Sequence, residues 1–262
     1  MTAVITDPLA DPVVICMFGR FRLFRNGSPL LVRQGGKVEQ LLVSLALGVR
    51  KGVARDELLR FIWPDSDRQL ASQSLNSLVY SLRRKLGPAL ANRSPIVDDD
   101  GRFRLSLEAG IAVDVIEFDA AVEAGDRSSR AGDAGGAIDS YSGAIDLYEG
   151  DLVIGPVVQH LVERERLRAR FLSVRAHLAD HHFARGEYDR ALENALELLA
   201  FDACREDAHR MAMRCYVRLG ARAQAVRQYR ICRQILADEF DAPPEDATER
   251  VYEMVRLEPA RL

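Results

Sequence analysis

The stretch Gln69 to Gly87 reads QLASQSLNSLVYSLRRKLG, and its phase decides the fold. At one hundred degrees per residue, Ala71, Leu75, Leu78, Val79, Leu82 and Leu86 gather on one side of a helix. Gln73, Ser77, Tyr80, Ser81 and Arg84 gather on the other. No carboxylate occurs from Arg68 to Gly87. Solvated helix faces usually mix both charge signs, so an outward face that excludes acids implies a polyanion opposite it.

The flanks supply a scaffold for such a helix. Val13 to Phe18 and Arg20 to Arg25 read as strands broken at Gly19, and Asn26-Gly27 reads as a tight turn leading to a third strand over Leu30 to Val32. Gly35-Gly36 then breaks the pattern before a helix over Lys37 to Leu47 with an apolar stripe of Val38, Leu41, Leu42, Leu45 and Ala46. A second helix over Arg55 to Trp63 turns Leu58, Leu59, Ile62 and Trp63 inward and ends at Pro64. Beyond the Gln69–Gly87 helix, Pro95 to Val97 and Arg102 to Ser106 flank an Asp/Gly turn and read as a hairpin. Phe103 and Leu105 point to one face of it, Arg102 and Arg104 to the other. Sheet, three helices and a hairpin make a winged helix-turn-helix, with the two arginines placed to reach phosphate or a minor groove.

At 262 residues the chain has room for two domains. Its net charge of −3 conceals an asymmetry. Met1 to Leu107 carries 16 Lys/Arg against 10 Asp/Glu, whereas Glu108 to Leu262 carries 20 against 29. A basic half joined to an acidic half suits a DNA-binding module attached to a protein-contacting one. No apolar run reaches the ~18–20 residues of a membrane span. MTAVITDPLADP lacks the pattern of a secretory signal and reads as a disordered lead-in over 1–12. Cys16, Cys204, Cys215 and Cys232 have no CxxC or zinc-finger spacing, which favours reduced thiols and a cytoplasmic location.

From Asp114 the chain reads as helical. Gly186-Glu-Tyr-Asp-Arg-Ala191 recurs 34 residues later as Gly220-Ala-Arg-Ala-Gln-Ala225, the tetratricopeptide (TPR) period, and Gly136 to Tyr141 offers a degenerate third copy. His177 and His181 have helical chelate spacing but no third ligand, so no metal is expected. Neither a nucleophile triad nor a phosphate loop stands out, and no catalytic role or cofactor is expected. The arginine-rich run Glu163 to Arg170 reads as a solvated ridge, and Trp63 as core.

Two resemblances follow. The N-terminal sheet, FIWPD, SQSLNSLVYSLRRKLG and DGRFRL resemble the OmpR-type winged helix of transcriptional regulators over about Val13 to Leu107. In that family the third helix enters the major groove. The resemblance therefore implies base reading by Gln73, Asn76, Ser77, Tyr80 and Arg84, with Ser81 beside them and Arg83 and Lys85 on phosphate. VDVIEF, AIDSYSGAIDLYEGDL, RERLRARFLSVRAHLAD and ILADEFDAPPEDATERVYE resemble the bacterial transcriptional activator domain of the antibiotic-regulatory (SARP) class. No phosphorylatable receiver and no GxxxxGK[ST] module is seen, which fits a short member of that class.

The expectation is thus a mainly α protein with a small β part: lead-in 1–12, winged helix 13–107, linker 108–113 and TPR-like domain 114–258. The resemblance implies an activator that binds promoter direct repeats in double-stranded DNA as a homodimer or tandem protomers and recruits RNA polymerase. The alternative is a protein-interaction adaptor whose TPR-like domain binds peptide and whose winged helix does not bind DNA.

Overall fold

The computed structural model describes residues 11–152 and 158–261; the expected lead-in falls largely outside them. The chain forms two compact units, Met1–Arg168 and Ala169–Leu262, and is mainly α with a small N-terminal β part.

In the first unit β1 (Val13–Cys16), β2 (Arg22–Arg25) and β3 (Ser28–Leu30) form an antiparallel meander. Asn26 and Gly27 take positive φ of 48° and 70° at its hairpin, the paired left-handed geometry a two-residue turn requires. The third strand stops at Leu30 instead of reaching Val32, and Leu31 stands fully exposed. Helix α1 (Lys37–Leu47) has the expected bounds, and β4 (Val53–Ala54) leads into α2 (Arg55–Ile62). Then follow α3 (Arg68–Leu86), β5 (Ile96–Asp99) and β6 (Arg102–Leu105). β4, β6 and β5 form a three-stranded antiparallel sheet, so the hairpin is tied back to the chain between α1 and α2. Leu41, Leu42, Leu45, Leu58, Ile62, Leu75, Leu86 and Leu90 are fully buried and make the core of a winged helix.

Residues 108–113 do not form a loose linker. β7 (Ile111–Val113) pairs in parallel with β1, Val13 opposite Ile111 and Ile15 opposite Val113. All three of its side chains are buried. Three apolar residues are too few to show a period, which is why the sequence pattern passes over them. Asp114 opens α4 (Asp114–Arg130) immediately afterwards, and its carboxylate accepts hydrogen bonds from Met17 N (2.6 Å) and Phe18 N (2.9 Å). The strand and this clamp join α4 to the first sheet. α5 (Ala134–Leu147) packs against α4, so this helical pair belongs to the first unit.

The boundary between the units lies within α6 (Val158–Ala184). The second unit continues with α7 (Tyr188–Phe201), α8 (Glu206–Arg218), α9 (Arg222–Phe240) and α10 (Asp246–Leu257). Small side chains line its helix contacts: Ala179, Ala191, Ala195, Ala212 and Cys215 cluster with Met211. Ala225 packs with Met213, Tyr229, Val251 and Val255.

The repeat is visible in its turns. Gly186 and Gly220 both have φ +76°, and so does Gly132. In all three turns the residue after the glycine donates to the carbonyl five residues back: Asp133 N to Ser128 O, Glu187 N to His182 O and Ala221 N to Tyr216 O. This is the Schellman closure of a helix. The third copy therefore starts at Gly132, four residues before Gly136, and Ala137 stands where Ala191 and Ala225 stand. A cluster of three glycines hid this register, because only backbone conformation says which one ends the helix.

Candidate nucleic-acid interface

Helix α3 begins at Asp67, whose carboxylate accepts from Gln69 N and Leu70 N at 2.8 and 3.2 Å. Its last turn carries Arg83, Arg84 and Lys85, cations that suit the negative end of the helix dipole. Ala71, Leu75, Val79, Leu82 and Leu86 are buried, and Leu78 is half-buried. Gln73, Asn76, Ser77, Tyr80, Arg83, Arg84 and Lys85 are exposed, Tyr80 by 66%. Ser81 is half-buried and sits at the edge of the outward face. Leu70 also emerges on the outward side, 61% exposed, a position the polar pattern does not single out.

The outward side chains divide into held and unheld groups. Arg83 donates from Nη2 to Ile96 O (2.9 Å), which fixes it against the start of β5. Asn76 Oδ1 accepts from Arg55 Nη2 (2.6 Å). Arg55 also donates to Ser72 Oγ (2.9 Å) and, at 3.3 Å, to Ser72 O. Its guanidinium lies 5.7 Å from the Phe103 ring centroid. Arg55 thus joins α2, α3 and the wing, and sequence reading missed it. The signal was available: a cation in the first turn of a helix opposes the dipole and so needs a partner from elsewhere. Among the described residues neither Arg84 nor Lys85 forms an ion pair with an acid.

The wing departs from its expected character. Arg102 donates to Lys51 O (2.9 Å) and Gly52 O (2.7 Å), so it staples β6 to the loop before β4. To reach phosphate it would give up both bonds. Arg104 is exposed on β6. The tip is acidic: Asp98, Asp99 and Asp100 are all exposed, and Asp98 accepts from Gly101 N to close the turn. Asp100 and Gly101 take φ of 50° and 77° there. Three carboxylates at the tip oppose its insertion next to a phosphate backbone.

Trp63 is half-buried rather than core, with the Lys37 ammonium 5.6 Å from its ring. Among the described residues no group of three or more His, Cys, Asp and Glu side chains is placed to hold a metal ion. No helix among them is long and apolar enough to cross a membrane.

Residues 113–256 match the family model described as "Bacterial transcriptional activator domain". Among solved structures the chain is similar to Mycobacterium tuberculosis EmbR, determined in complex with a low-affinity phosphopeptide. The identity is 22% and the TM-score 0.71, over 94% of this chain and 65% of that one, so this chain spans about two thirds of EmbR's length. A C-terminal TPR-containing domain of a Plasmodium falciparum FK506-binding protein aligns at 17% identity and a TM-score of 0.42, covering 56% of this chain and 93% of that one. Among curated proteins none matches.

Proposed function

Because the chain belongs to the bacterial transcriptional activator domain family, and is a SARP-type transcriptional regulator, we propose that it binds double-stranded DNA through α3 and activates transcription by recruiting RNA polymerase. The observation that carries the first part is the outward face of α3: nineteen residues without a carboxylate, buried on one side and presenting Gln73, Ser77, Tyr80, Arg84 and Lys85 to solvent on the other. An α-helix of this kind fits a major groove, where polar side chains meet base edges and cations meet phosphate.

In this reading Tyr80, Gln73, Asn76, Ser77 and Arg84 face bases, Ser81 borders them, Lys85 contacts phosphate, and Arg83 braces the helix. Arg104 is the wing residue that reaches the backbone, and Arg102 holds the wing in position. Winged helices occupy direct repeats as tandem protomers or a homodimer, and polymerase contact falls to the helical part.

A gel shift of the full chain against genomic fragments at two salt concentrations tests the proposal. Salt-sensitive, sequence-selective retardation is expected, weakened by ~1–3 kcal/mol in Arg84→Ala and Tyr80→Ala where those side chains touch base edges. Absence of retardation at low salt would instead favour an adaptor whose winged helix packs against protein. Run-off transcription with purified polymerase tests the second part; unchanged transcript from a bound promoter would remove it.

A further inference from the structure

We infer that Arg55 sets the base preference of Asn76, turning that side chain from a reader of adenine into a donor that reads acceptor-bearing bases. This rests on the DNA-binding reading above. A guanidinium has five N–H donors and no acceptor. The Asn76 atom facing it must therefore be the carbonyl oxygen, since the amide nitrogen would set donor against donor. Arg55 Nη2 stands 2.6 Å from that oxygen.

Arg55 is itself overdetermined. Its Nη2 also reaches Ser72 Oγ at 2.9 Å and Ser72 O at 3.3 Å, its Nε reaches Ser72 Oγ at 3.3 Å, and the guanidinium lies over Phe103 of the wing. Held from three sides, it cannot swing away without breaking the contact between α2, α3 and β6. Asn76 is exposed on α3, so the remainder of its amide, the NH2 group, is what it offers outward.

An asparagine reads adenine by a bidentate pair: its oxygen accepts from the base N6 amino group while its nitrogen donates to N7. That oxygen keeps a second lone pair, but with Arg55 bonded to the first and its positive charge beside it, approach of a further N–H donor is disfavoured and the first half of that pair is weakened. The NH2 group is then the stronger outward contact, and it favours bases that present acceptors in the major groove, guanine with N7 and O6 foremost and thymine with O4 next. Arg55 needs no contact with DNA to exert this effect. It acts as a positioning residue.

The test is in vitro selection of the full-length protein on a randomised duplex library, for the wild type, Asn76→Ala, Arg55→Ala and the double variant. The position read by Asn76 is the one whose preference disappears in Asn76→Ala. In the wild type that position is expected to be guanine or thymine. In Arg55→Ala it is expected to move toward adenine by on the order of tenfold, the discrimination of a bidentate pair. The double variant should lose the shift. Circular dichroism of each variant checks folding, and the wild-type comparison with Asn76→Ala stands even where Arg55→Ala fails to fold. Adenine at that position in the wild type would overturn this inference alone. So would an Arg55→Ala shift that persists without Asn76. No salt-sensitive selection by the wild type would overturn the DNA-binding reading with it.

Discussion

Replacing Asp114 by asparagine should change how the first unit's stability depends on pH. Asp114 is 7% exposed, and burial pushes its carboxyl up from 3.8 to about 6 despite the N–H groups of Phe18, Met17 and Val115 that it accepts. A pKa displaced that far disfavours the folded anion by about 3 kcal/mol. Between about pH 4 and 6 the folded chain holds more proton at this position than the unfolded chain. Its contribution is therefore fully present below pH 4 and is lost as pH rises through 6. The amide of the Asp114→Asn variant would keep an oxygen for Met17 and Phe18 but turn its NH2 group toward Val115 N, a constant loss of about 1 kcal/mol. The difference in unfolding free energy, wild type minus Asp114→Asn, should accordingly fall by about 2 kcal/mol from pH 4 to pH 7. Trp63 is the only tryptophan and lies in the same compact unit, so its fluorescence in urea titrations at several pH values reports the relevant transition. Taking the difference cancels the other carboxyls. A flat difference across that range, or one that grows with pH, would refute the reasoning.

Gly125→Ala should cost about 2 kcal/mol, because an added Cβ would lie 2.4 Å from Tyr141 Cε1 and overpacking outweighs the gain in helix propensity. The Tyr141 ring is held by its hydroxyl bond to Asp126, so thermal melting should register the clash rather than a rearrangement. Gly220→Ala should cost about 1 kcal/mol, since φ is +76° while nothing lies within 4 Å of the new Cβ; denaturant unfolding that finds no loss would contradict a strain origin. Lys85→Ala should weaken binding to all duplexes alike and reduce the salt slope by ~1, measured as affinity against salt concentration. A loss confined to one sequence would reassign Lys85 to base reading.

How far the fold was legible depended on the length of each signal. α1 and α3 declared themselves because five and six apolar residues repeat in phase over eleven and nineteen positions. Asn26-Gly27 and Asp100-Gly101 marked their turns because few residue pairs tolerate consecutive positive φ. β7 gave three apolar residues and no period, and it entered the sheet through a partner almost a hundred positions earlier. The turn at Gly132 was obscured by its neighbours Gly135 and Gly136. Within the candidate site, exposure followed helix phase closely. What phase does not carry is commitment: Arg83, Arg102 and Asn76 look alike in sequence whether their polar atoms face solvent or are already bonded.

That commitment sets how strongly one winged helix can hold DNA. Of the cations on α3 and the wing, Arg68 is paired with Asp56, Arg83 and Arg102 are spent on backbone carbonyls, and three aspartates sit at the wing tip. Arg84, Lys85 and Arg104 remain as exposed cations for phosphate or base. Each phosphate neutralised contributes about −0.9 to the slope of log affinity against log salt, so with Arg84 on bases, Lys85 and Arg104 give α3 and the wing of one protomer a slope of only about −2. Sites bound through six to ten phosphate contacts have far steeper slopes. Two protomers side by side double the count and bring two α3 faces to two half-sites, with the affinity of the second raised by proximity to the first. On the DNA-binding reading, the scarcity of uncommitted cations is therefore itself a reason to expect tandem occupancy. It predicts that halving a direct repeat halves the slope of log affinity against log salt, while the affinity itself falls further because the proximity gain is lost with the second site.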